Sequence, residues 1–198
     1  MPKIVDHDER RSEIVDAMWR VVEHPGFDAV SIRSVAAEAG LSKATIGHYF
    51  RKRSDLISYA VERNIITVTS ELVKLDLDTC TVDVAVEALM VTIPTTPQRR
   101  QQSQVWLSLL ASHNLDPDIS RSLTHLNVTV RVGLMVVLRA LRKQGGVAAN
   151  RDLLLESARL HAYVDGLSLQ TLTDPATMPP AQVRTLVRLH LEDLALPR

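Results

Sequence analysis

Side chains able to donate hydrogen bonds to phosphates and base edges gather in the stretch AAEAGLSKATIGHYF, residues 36–50. Lys43, Thr45 and Tyr49 carry donors, and His48 offers either a donor or an acceptor. These groups suit contacts with a nucleic-acid backbone and with the base edges of a groove. The question is which elements would hold them on one exposed surface.

The charge of the chain is unevenly placed. Lys and Arg total 23, Asp and Glu also total 23, and the formal net charge is zero. Between residues 31 and 54, however, Glu38 is the only acid. It is outnumbered there by basic residues, namely Arg33, Lys43, Arg51, Lys52 and Arg53. A neutral chain can therefore present one basic face, although a basic cluster is also found on ordinary solvated surfaces.

Two short helices and a tight turn are predicted around these residues. Ser31 can cap a helix from Ile32 to about Ala39, and Gly40 supplies the left-handed residue that ends it. Ser42 can then cap a second helix, Lys43 to Tyr49. This is the pattern of a helix-turn-helix, in which the second helix is the recognition helix.

Helices this short are marginal in water by themselves. We therefore expect their apolar residues to pack on the first helix of the chain, through Met18 and Val22. The residues expected to pack there are Ile32, Val35, Ala36, Ala39, Leu41, Ile46 and Phe50. One side of the recognition helix then stays free for DNA.

The DNA contacts are expected from the start of the first short helix, the turn, the recognition helix and the basic residues after it. Gly47 stands out, because glycine inside a helix costs about 1 kcal/mol relative to alanine. We expect it to let the recognition helix approach the groove closely; the alternative is that it only relieves packing. The predicted DNA-binding residues are Ser31, Arg33, Ser42, Lys43, Ala44, Thr45, Gly47, His48, Tyr49, Lys52 and Arg53.

The rest of the chain also predicts helices, because apolar residues recur at helical spacing and no alternating strand pattern occurs. We expect an all-α protein of about nine helices in two domains. Residues 1–53 would form the DNA-binding head, with the helix-turn-helix at about 31–50, and residues 54–198 a larger helical body for ligand sensing and dimerisation. A fourth helix, from Ser54 to Leu75, would join head and body.

Several function classes are disfavoured. The single cysteine, Cys80, excludes an internal disulfide, and the charged start MPKIVDHDERR lacks the apolar segment of a secretory signal. The longest strongly apolar stretch, residues 132–138, is too short to span a bilayer. We find no Cys–His pair, metal-ligand spacing or glycine-rich phosphate loop. We therefore predict a cytoplasmic protein that is not an enzyme. It is expected to have no membrane partner, no catalytic residue and no metal or cofactor.

The motif SIRSVAAEAGLSKATIGHYFRKRSDLI, residues 31–57, resembles the amino-terminal signature of the TetR family of bacterial transcriptional regulators. The resemblance extends over about residues 8–60. The tail ARLHAYVDGLSLQTLTDPATMPPAQVRTLVRLHLEDL, residues 158–194, more loosely resembles the carboxy-terminal domain of the betaine-regulator (BetI-like) branch. The resemblance implies an all-helical homodimer with a DNA-binding head and a ligand-sensing body, dimerised through its last two helices.

Carried over by position, the resemblance also implies roles for single residues. Two departures concern base preference: Gly47 stands where many members have an aromatic residue, and Arg53 where lysine is usual. The residues matching family positions that contact phosphates are Lys43, Thr45, Tyr49 and Arg53, and those matching base-facing positions are Ala44, Gly47 and His48.

The last two helices are apolar on more than one side, which predicts burial from two directions. One side would meet its own body and the other a second copy, giving a four-helix interface. The predicted interface residues are Leu160, Val164, Leu167, Val183, Leu186, Val187, His190 and Leu194.

Polar and adaptable residues that interrupt the apolar stripes between 80 and 145 are candidates for a ligand pocket. Each has a plainer interpretation as core, surface or capping residue. His161 and Asp165 lie one turn apart and could be half of a metal site, but two ligands are too few. The candidate ligand residues are Met90, Trp106, His113, His125, Asn127, Arg131 and Met135.

The leading hypothesis is a repressor that binds a near-palindromic DNA operator as a dimer and is released by a small molecule. An alternative is a DNA-binding regulator without a small-molecule ligand, either constitutive or controlled by a protein partner. Because aromatic residues make up only 4% of the chain, we do not predict a quaternary ammonium ligand, which favours aromatic cages.

Overall fold

The computed structural model describes residues 7–24, 26–112 and 117–197. Across these ranges it contains nine α-helices and two 3₁₀ turns, Phe27–Ala29 and Asp193–Ala195, and no strand. The predicted all-α class is thereby confirmed. The helices are α1 His7–Glu23, α2 Ile32–Glu38, α3 Lys43–Tyr49, α4 Arg53–Leu72, α5 Val82–Met90, α6 Pro97–Ser112, α7 Pro117–Lys143, α8 Leu153–Thr173 and α9 Pro180–Glu192.

The chain divides into two compact units. The first draws on residues 1–64 and 104–123, and the second on residues 65–103 and 124–198. Three helices, α4, α6 and α7, thus give residues to both units. The boundary between the two compact units falls within α4, after residue 64. The predicted boundary between the DNA-binding head and the ligand-sensing body lies after residue 53 and stays a prediction.

The core of the first unit is built on α1, whose Ile14 and Met18 have no exposed surface. Onto it pack Val35 and Ala36 from α2, and Ile46 from α3. Phe50 is buried in the same cluster, and Ile32, Ala39 and Leu41 pack against it partly buried. The two short helices are therefore held by the first helix, as their apolar residues predict.

The turn between α2 and α3 forms as its residue types require. The Ser31 hydroxyl accepts a hydrogen bond from the Ser34 backbone N–H, and Ser34 Oγ accepts one from Ser31 N–H, which is a reciprocal cap. Gly40 has a φ of 64°, a left-handed conformation that favours glycine. The N–H of Leu41 then donates to the Ala36 carbonyl at 2.9 Å and closes the turn.

The start of α4 differs from the prediction. The helix begins at Arg53, one residue before the predicted start, and Ser54 is a buried residue of its first turn. The Asp55 carboxylate instead accepts the Lys52 backbone N–H at 3.2 Å. Because Leu56 and Ile57 are fully buried in the first core, the first turns of α4 belong structurally to the head.

Aliphatic residues from α5, α7, α8 and α9 form the core of the second unit. A buried ion pair lies at its edge, where Arg151 Nη1 is 3.0 Å from Glu156 Oε1. Arg151 also donates to the carbonyls of Asp193 and Leu196. This guanidinium thereby ties the turn after α9 to the start of α8.

α7 is, among the described helices, long and apolar enough to cross a bilayer by length and composition alone. The shorter run considered in the sequence, 132–138, had not indicated this. The helix supplies Ile119 and Leu123 to the first core, and Leu134 and Leu138 to the second. Its apolar residues are thus partly explained by packing within the protein.

Candidate nucleic-acid interface

The recognition helix α3 has one buried and one exposed side. Ile46 has no exposed surface, and Phe50, which follows the helix, is 1% exposed. Tyr49 is half-buried at the edge of the core. The predicted contact residues that are exposed on or beside α3 are Ser42, Lys43, Ala44, Thr45, Gly47 and His48.

Hydroxyl groups fix the start of α3. The Ser42 side chain accepts the Thr45 N–H at 3.0 Å, and the two hydroxyl oxygens lie 2.8 Å apart. These contacts orient the first turn and leave each hydroxyl with further hydrogen-bonding capacity. The Lys43 side chain makes no hydrogen bond or ion pair with any described residue, so its ammonium can reach a phosphate without breaking an internal contact.

The structure divides the basic residues into different roles. Arg33 and Arg51 are exposed, whereas Lys52 pairs with Asp118 of α7. Arg53 turns inward: its Nε donates to the Val30 carbonyl at 2.8 Å, its Nη2 donates to the Phe27 carbonyl, and its guanidinium lies 4.7 Å from the Phe27 ring centre. Arg53 therefore supports the turn before α2, a role that its sequence position did not suggest.

Ser31 also has a structural role, because its hydroxyl belongs to the cap of α2 and its residue is only partly exposed. Its predicted DNA contact remains a prediction, as do those of the other residues.

Sequence reasoning missed His7. The ring of this first residue of α1 lies 4.7 Å from the Tyr49 ring centre and 6.3 Å from that of His48. His48 and Tyr49 are themselves 5.3 Å apart in an edge-to-face arrangement. The start of α1 is thus packed against the end of the recognition helix. Nothing in the spacing of a lone histidine would have indicated this contact.

Gly47 is exposed, and a Cβ atom added there would meet nothing within 4 Å. Its φ is not in the left-handed region, since positive φ values occur at Gly26, Gly40 and Gly145. The fold of the free protein therefore does not require glycine at this position. An added methyl group would meet no neighbour within the protein, and the close approach of α3 to a DNA groove at Gly47 remains a prediction.

The candidate ligand residues do not form one group. Met90 is buried in the second core, whereas Trp106 packs partly buried against the first core. His113 lies outside the described residues. In the second unit, His125 and Arg131 are exposed, while Asn127 and Met135 are partly exposed. Trp106 is accounted for by the first core and is not on the same unit as the other described candidates.

Arg131 contacts a pair that the sequence had linked only to a metal. Its Nε donates to Nδ1 of His161 at 3.4 Å, and Nε2 of His161 lies 3.6 Å from the Asp165 carboxylate. Burial raises the pKa of Asp165, and the nearby charges of His161 and Arg131 only partly oppose this. Among the described residues no three His, Cys, Asp or Glu side chains are grouped as a metal site would require.

Most of the predicted interface residues are buried within their own chain. Their contact with a second copy therefore stays a prediction, and little of their surface is left for it. Leu186 and His190 are partly exposed, and the His190 ring stacks on Tyr163 at 4.4 Å. The core residues are Leu160, Val164, Leu167, Val183, Val187 and Leu194, each at most 5% exposed.

The same two helices do expose apolar surface, on the side that lies about half a turn away from the predicted stripe at about 100° per residue. Burial by the chain's own α5 and α7 selects one side of α8 and α9, and amphipathicity alone could not tell which. Gly166 on α8 also has open space beside it, because an added Cβ would meet nothing within 4 Å. The exposed apolar residues on this side are Leu155, Ala158, Ala162 and Leu169 on α8, and Leu189 on α9.

Two family models match the chain. Residues 14–60 match the model of bacterial regulatory proteins of the tetR family, and residues 81–196 match that of the BetI-type transcriptional repressor C-terminal domain. The chain is a member of the TetR family of transcriptional regulators. It carries a BetI-type carboxy-terminal domain, and it is a DNA-binding regulator and not an enzyme.

Relatives of this TetR-family regulator are similar over nearly their whole length. The HTH-type regulator PksA of Bacillus subtilis is 27% identical over 99% of this chain and 95% of its own. BetI of Serratia proteamaculans is 26% identical over 94% and 92%. A regulator structure from Saccharomonospora viridis in complex with choline has a TM-score of 0.74 and 26% identity, covering 93% of this chain and 96% of that one.

Proposed function

We propose that this TetR-family regulator is a cytoplasmic, dimeric repressor that contacts a near-palindromic operator with the exposed side of α3 and is released by a small molecule. The observation that carries the proposal is the two-sided recognition helix. Ile46 and Phe50 anchor it in the core, while Lys43, Ala44 and His48 stay exposed beside Gly47. A polar helix face held outward by a buried opposite face fits a major groove.

A dimer is needed because one seven-residue helix reads few bases. Two heads about 34–36 Å apart would meet successive major-groove faces of an inverted repeat. We place the dimer contact on the exposed side of α8 and α9, with Ala158 and Ala162 allowing close approach of the partner helices. Replacing Ala162 by glutamate would bury two unpaired charges at a twofold contact and should give monomers in sedimentation velocity.

The effector is proposed to bind in the second unit. Arg131 is the residue we expect to contact it, since its guanidinium is exposed and reaches His161. Choline, present in the Saccharomonospora viridis structure, is not our choice. The second unit holds a single Phe, Tyr or Trp, Tyr163, which already donates to the Leu186 carbonyl at 3.0 Å, so an aromatic cage cannot be assembled within that unit.

The DNA surface is tested by selecting binding sites from a random-sequence duplex library with the wild-type protein. We expect an inverted repeat to be enriched. Removing one lysine–phosphate interaction lowers the log–log salt slope by about 0.9, so Lys43→Ala should reduce the slope by about 1.8 for a dimer. Tyr49→Ala should weaken binding as well, whereas Lys74→Ala, an exposed lysine after α4, should not. Wild-type affinity of both the Lys43 and the Tyr49 variant would contradict this surface.

Release by a small molecule is tested with the selected duplex and a metabolite panel. A ligand that weakens DNA binding must itself bind less tightly to the DNA complex by the same factor. We expect Arg131→Ala to weaken the ligand response. If no compound alters DNA binding, the alternative of a regulator without a small-molecule ligand would be favoured.

A further inference from the structure

α7 carries more exposed apolar surface than packing within the protein explains. Only 22% of the most apolar part of this helix is buried. Val128, Val132 and Val136 are 55%, 59% and 46% exposed. Their four-residue spacing puts them on one side of the helix, and we call them the α7 valine stripe. A row of exposed valines on one side of a helix is a candidate contact surface when it is continuous with other exposed apolar residues.

The stripe lies on the same side of the second unit as the exposed side of α8. The two helices are neighbours, because Arg131 of α7 donates to His161 of α8, and the short connection between them makes them antiparallel. Val128 and Val132 lie three residues before and one after Arg131. Ala158 and Ala162 lie at the same offsets from His161.

At about 100° per residue, these equal offsets turn both pairs by the same angle away from the contact between the helices. Both pairs also point away from the core, because Leu134 and Leu138 of α7 and Leu160 and Val164 of α8 are the buried residues. Two antiparallel helices are related by a twofold axis perpendicular to both of them. Residues turned by the same angle from the line of contact therefore lie on the same side of the helix pair. The valine stripe therefore continues the apolar side of α8.

We propose that a second copy of this chain covers the α7 valine stripe, so that the dimer interface extends from α8 and α9 onto α7. The inference rests on the proposed dimer and adds a third helix to it. In a twofold dimer both protomers bring the same surface to the interface, so the α7 valine stripe of each protomer is buried. The three valines leave on the order of 200–300 Å² exposed per protomer, a substantial part of the roughly 800 Å² that a standard interface buries on each partner.

The charges around the stripe favour a protein partner over a bilayer. Arg131 and Arg139 are exposed on the same helix, next to the valines. An arginine held in the hydrocarbon core of a membrane is strongly unfavourable, whereas at the rim of a protein interface it remains hydrated.

Sedimentation equilibrium of Val132→Glu tests the proposal. The valine is exposed in one chain, so glutamate is compatible with the folded protomer, which far-UV circular dichroism would verify. We expect the dimer Kd to rise at least about 100-fold, because two charges would be buried without partners. Ile66→Glu, at a 68% exposed site on α4, is the matched control and should leave the Kd within about threefold.

Comparison with Ala162→Glu separates this inference from the proposed dimer. If Ala162→Glu dissociates the dimer and Val132→Glu does not, the extension onto α7 is wrong and the α8–α9 dimer stands. If only Val132→Glu dissociates it, α7 forms the interface and the α8 contact is wrong. If neither variant has an effect, both are overturned.

Cysteine accessibility gives a measurement that does not weaken the interface. The native Cys80 is buried, so a bulky maleimide should modify Val132→Cys selectively. We expect modification to be at least about tenfold slower in the wild-type dimer background than in the Ala162→Glu background, while Ile66→Cys reacts equally in both. If Ala162→Glu makes the protein monomeric and Val132→Cys still reacts at the same rate in both backgrounds, the proposal is overturned. Co-sedimentation of a monomer with anionic lipid vesicles would overturn it as well.

Discussion

Replacing Gly47 by alanine separates the stability of the recognition helix from its fit to DNA. The residue is exposed near the middle of α3, and a Cβ added there meets nothing within 4 Å. Alanine in a helix interior is more stable than glycine by about 0.5–1 kcal/mol. We therefore expect Gly47→Ala to raise the free energy of unfolding by that amount.

On DNA the same substitution should be harmful if the bare backbone at residue 47 allows α3 to approach the groove. Forcing a methyl group into a closely packed contact costs about 1–3 kcal/mol. Since a dimer presents two heads, the total is about 2–6 kcal/mol, which is a loss of operator affinity of at least about 25-fold at about 1.4 kcal/mol per factor of ten. Stability and affinity would thus change in opposite directions.

The measurements are urea unfolding at one fixed protomer concentration and fluorescence anisotropy with the selected duplex. Gly133→Ala is the matched control, because this glycine also lies within a helix, α7, and has open space around it. It should stabilise the protein similarly and leave DNA binding unchanged. If Gly47→Ala bound the duplex as tightly as the wild type, the close approach of α3 at this residue would be refuted.

Three further perturbations concern contacts that the structure makes explicit. His7→Ala, which removes the ring, should weaken binding of the selected duplex about fivefold or more, because aromatic pairs contribute about 0.5–1.5 kcal/mol in each head. His7→Phe keeps a ring and should restore the affinity. An equal loss of affinity in both variants would show that ring packing is not the cause. Glu156→Ala should lower the free energy of unfolding by about 3–5 kcal/mol in urea titrations, since it leaves Arg151 buried without a counter-charge, whereas Arg159→Ala, 38% exposed, should cost about 1 kcal/mol or less. Burial lowers the pKa of His190, and the charge of Arg159 adds to the effect. Because the unfolded chain therefore takes up the proton first, the free energy of unfolding should fall as the pH drops below about 6.5. His190→Gln should remove this part of the pH dependence, and parallel pH profiles of stability for the variant and the wild type would show that His190 is not its cause.

Local chemistry explains why the DNA-binding head was predictable. Ser31, Gly40 and Ser42 each act within a few residues, through caps and a left-handed turn, and α3 begins and ends at the predicted residues, Lys43 and Tyr49. The family could be read from this segment for the same reason, since cap, turn and outward polar side chains are contiguous in the chain.

Only the tertiary structure determines which apolar side of each helix is buried and which residues bury it. Leu160 on α8 and Val183 on α9 belong to apolar stripes that helical periodicity selects, but other helices of the second unit bury them, and the side of α8 with Ala162 stays exposed. Arg53 likewise carries a charge that its sequence position assigns to DNA, while two nearby carbonyl groups and the Phe27 ring bind it. Sequence spacing specifies the direction of a side chain relative to its own helix, because that direction follows from backbone geometry. The neighbour it meets depends on how distant segments pack, and this packing alone determined the interior, the exposed valines of α7 and the ring contact of His7 with Tyr49.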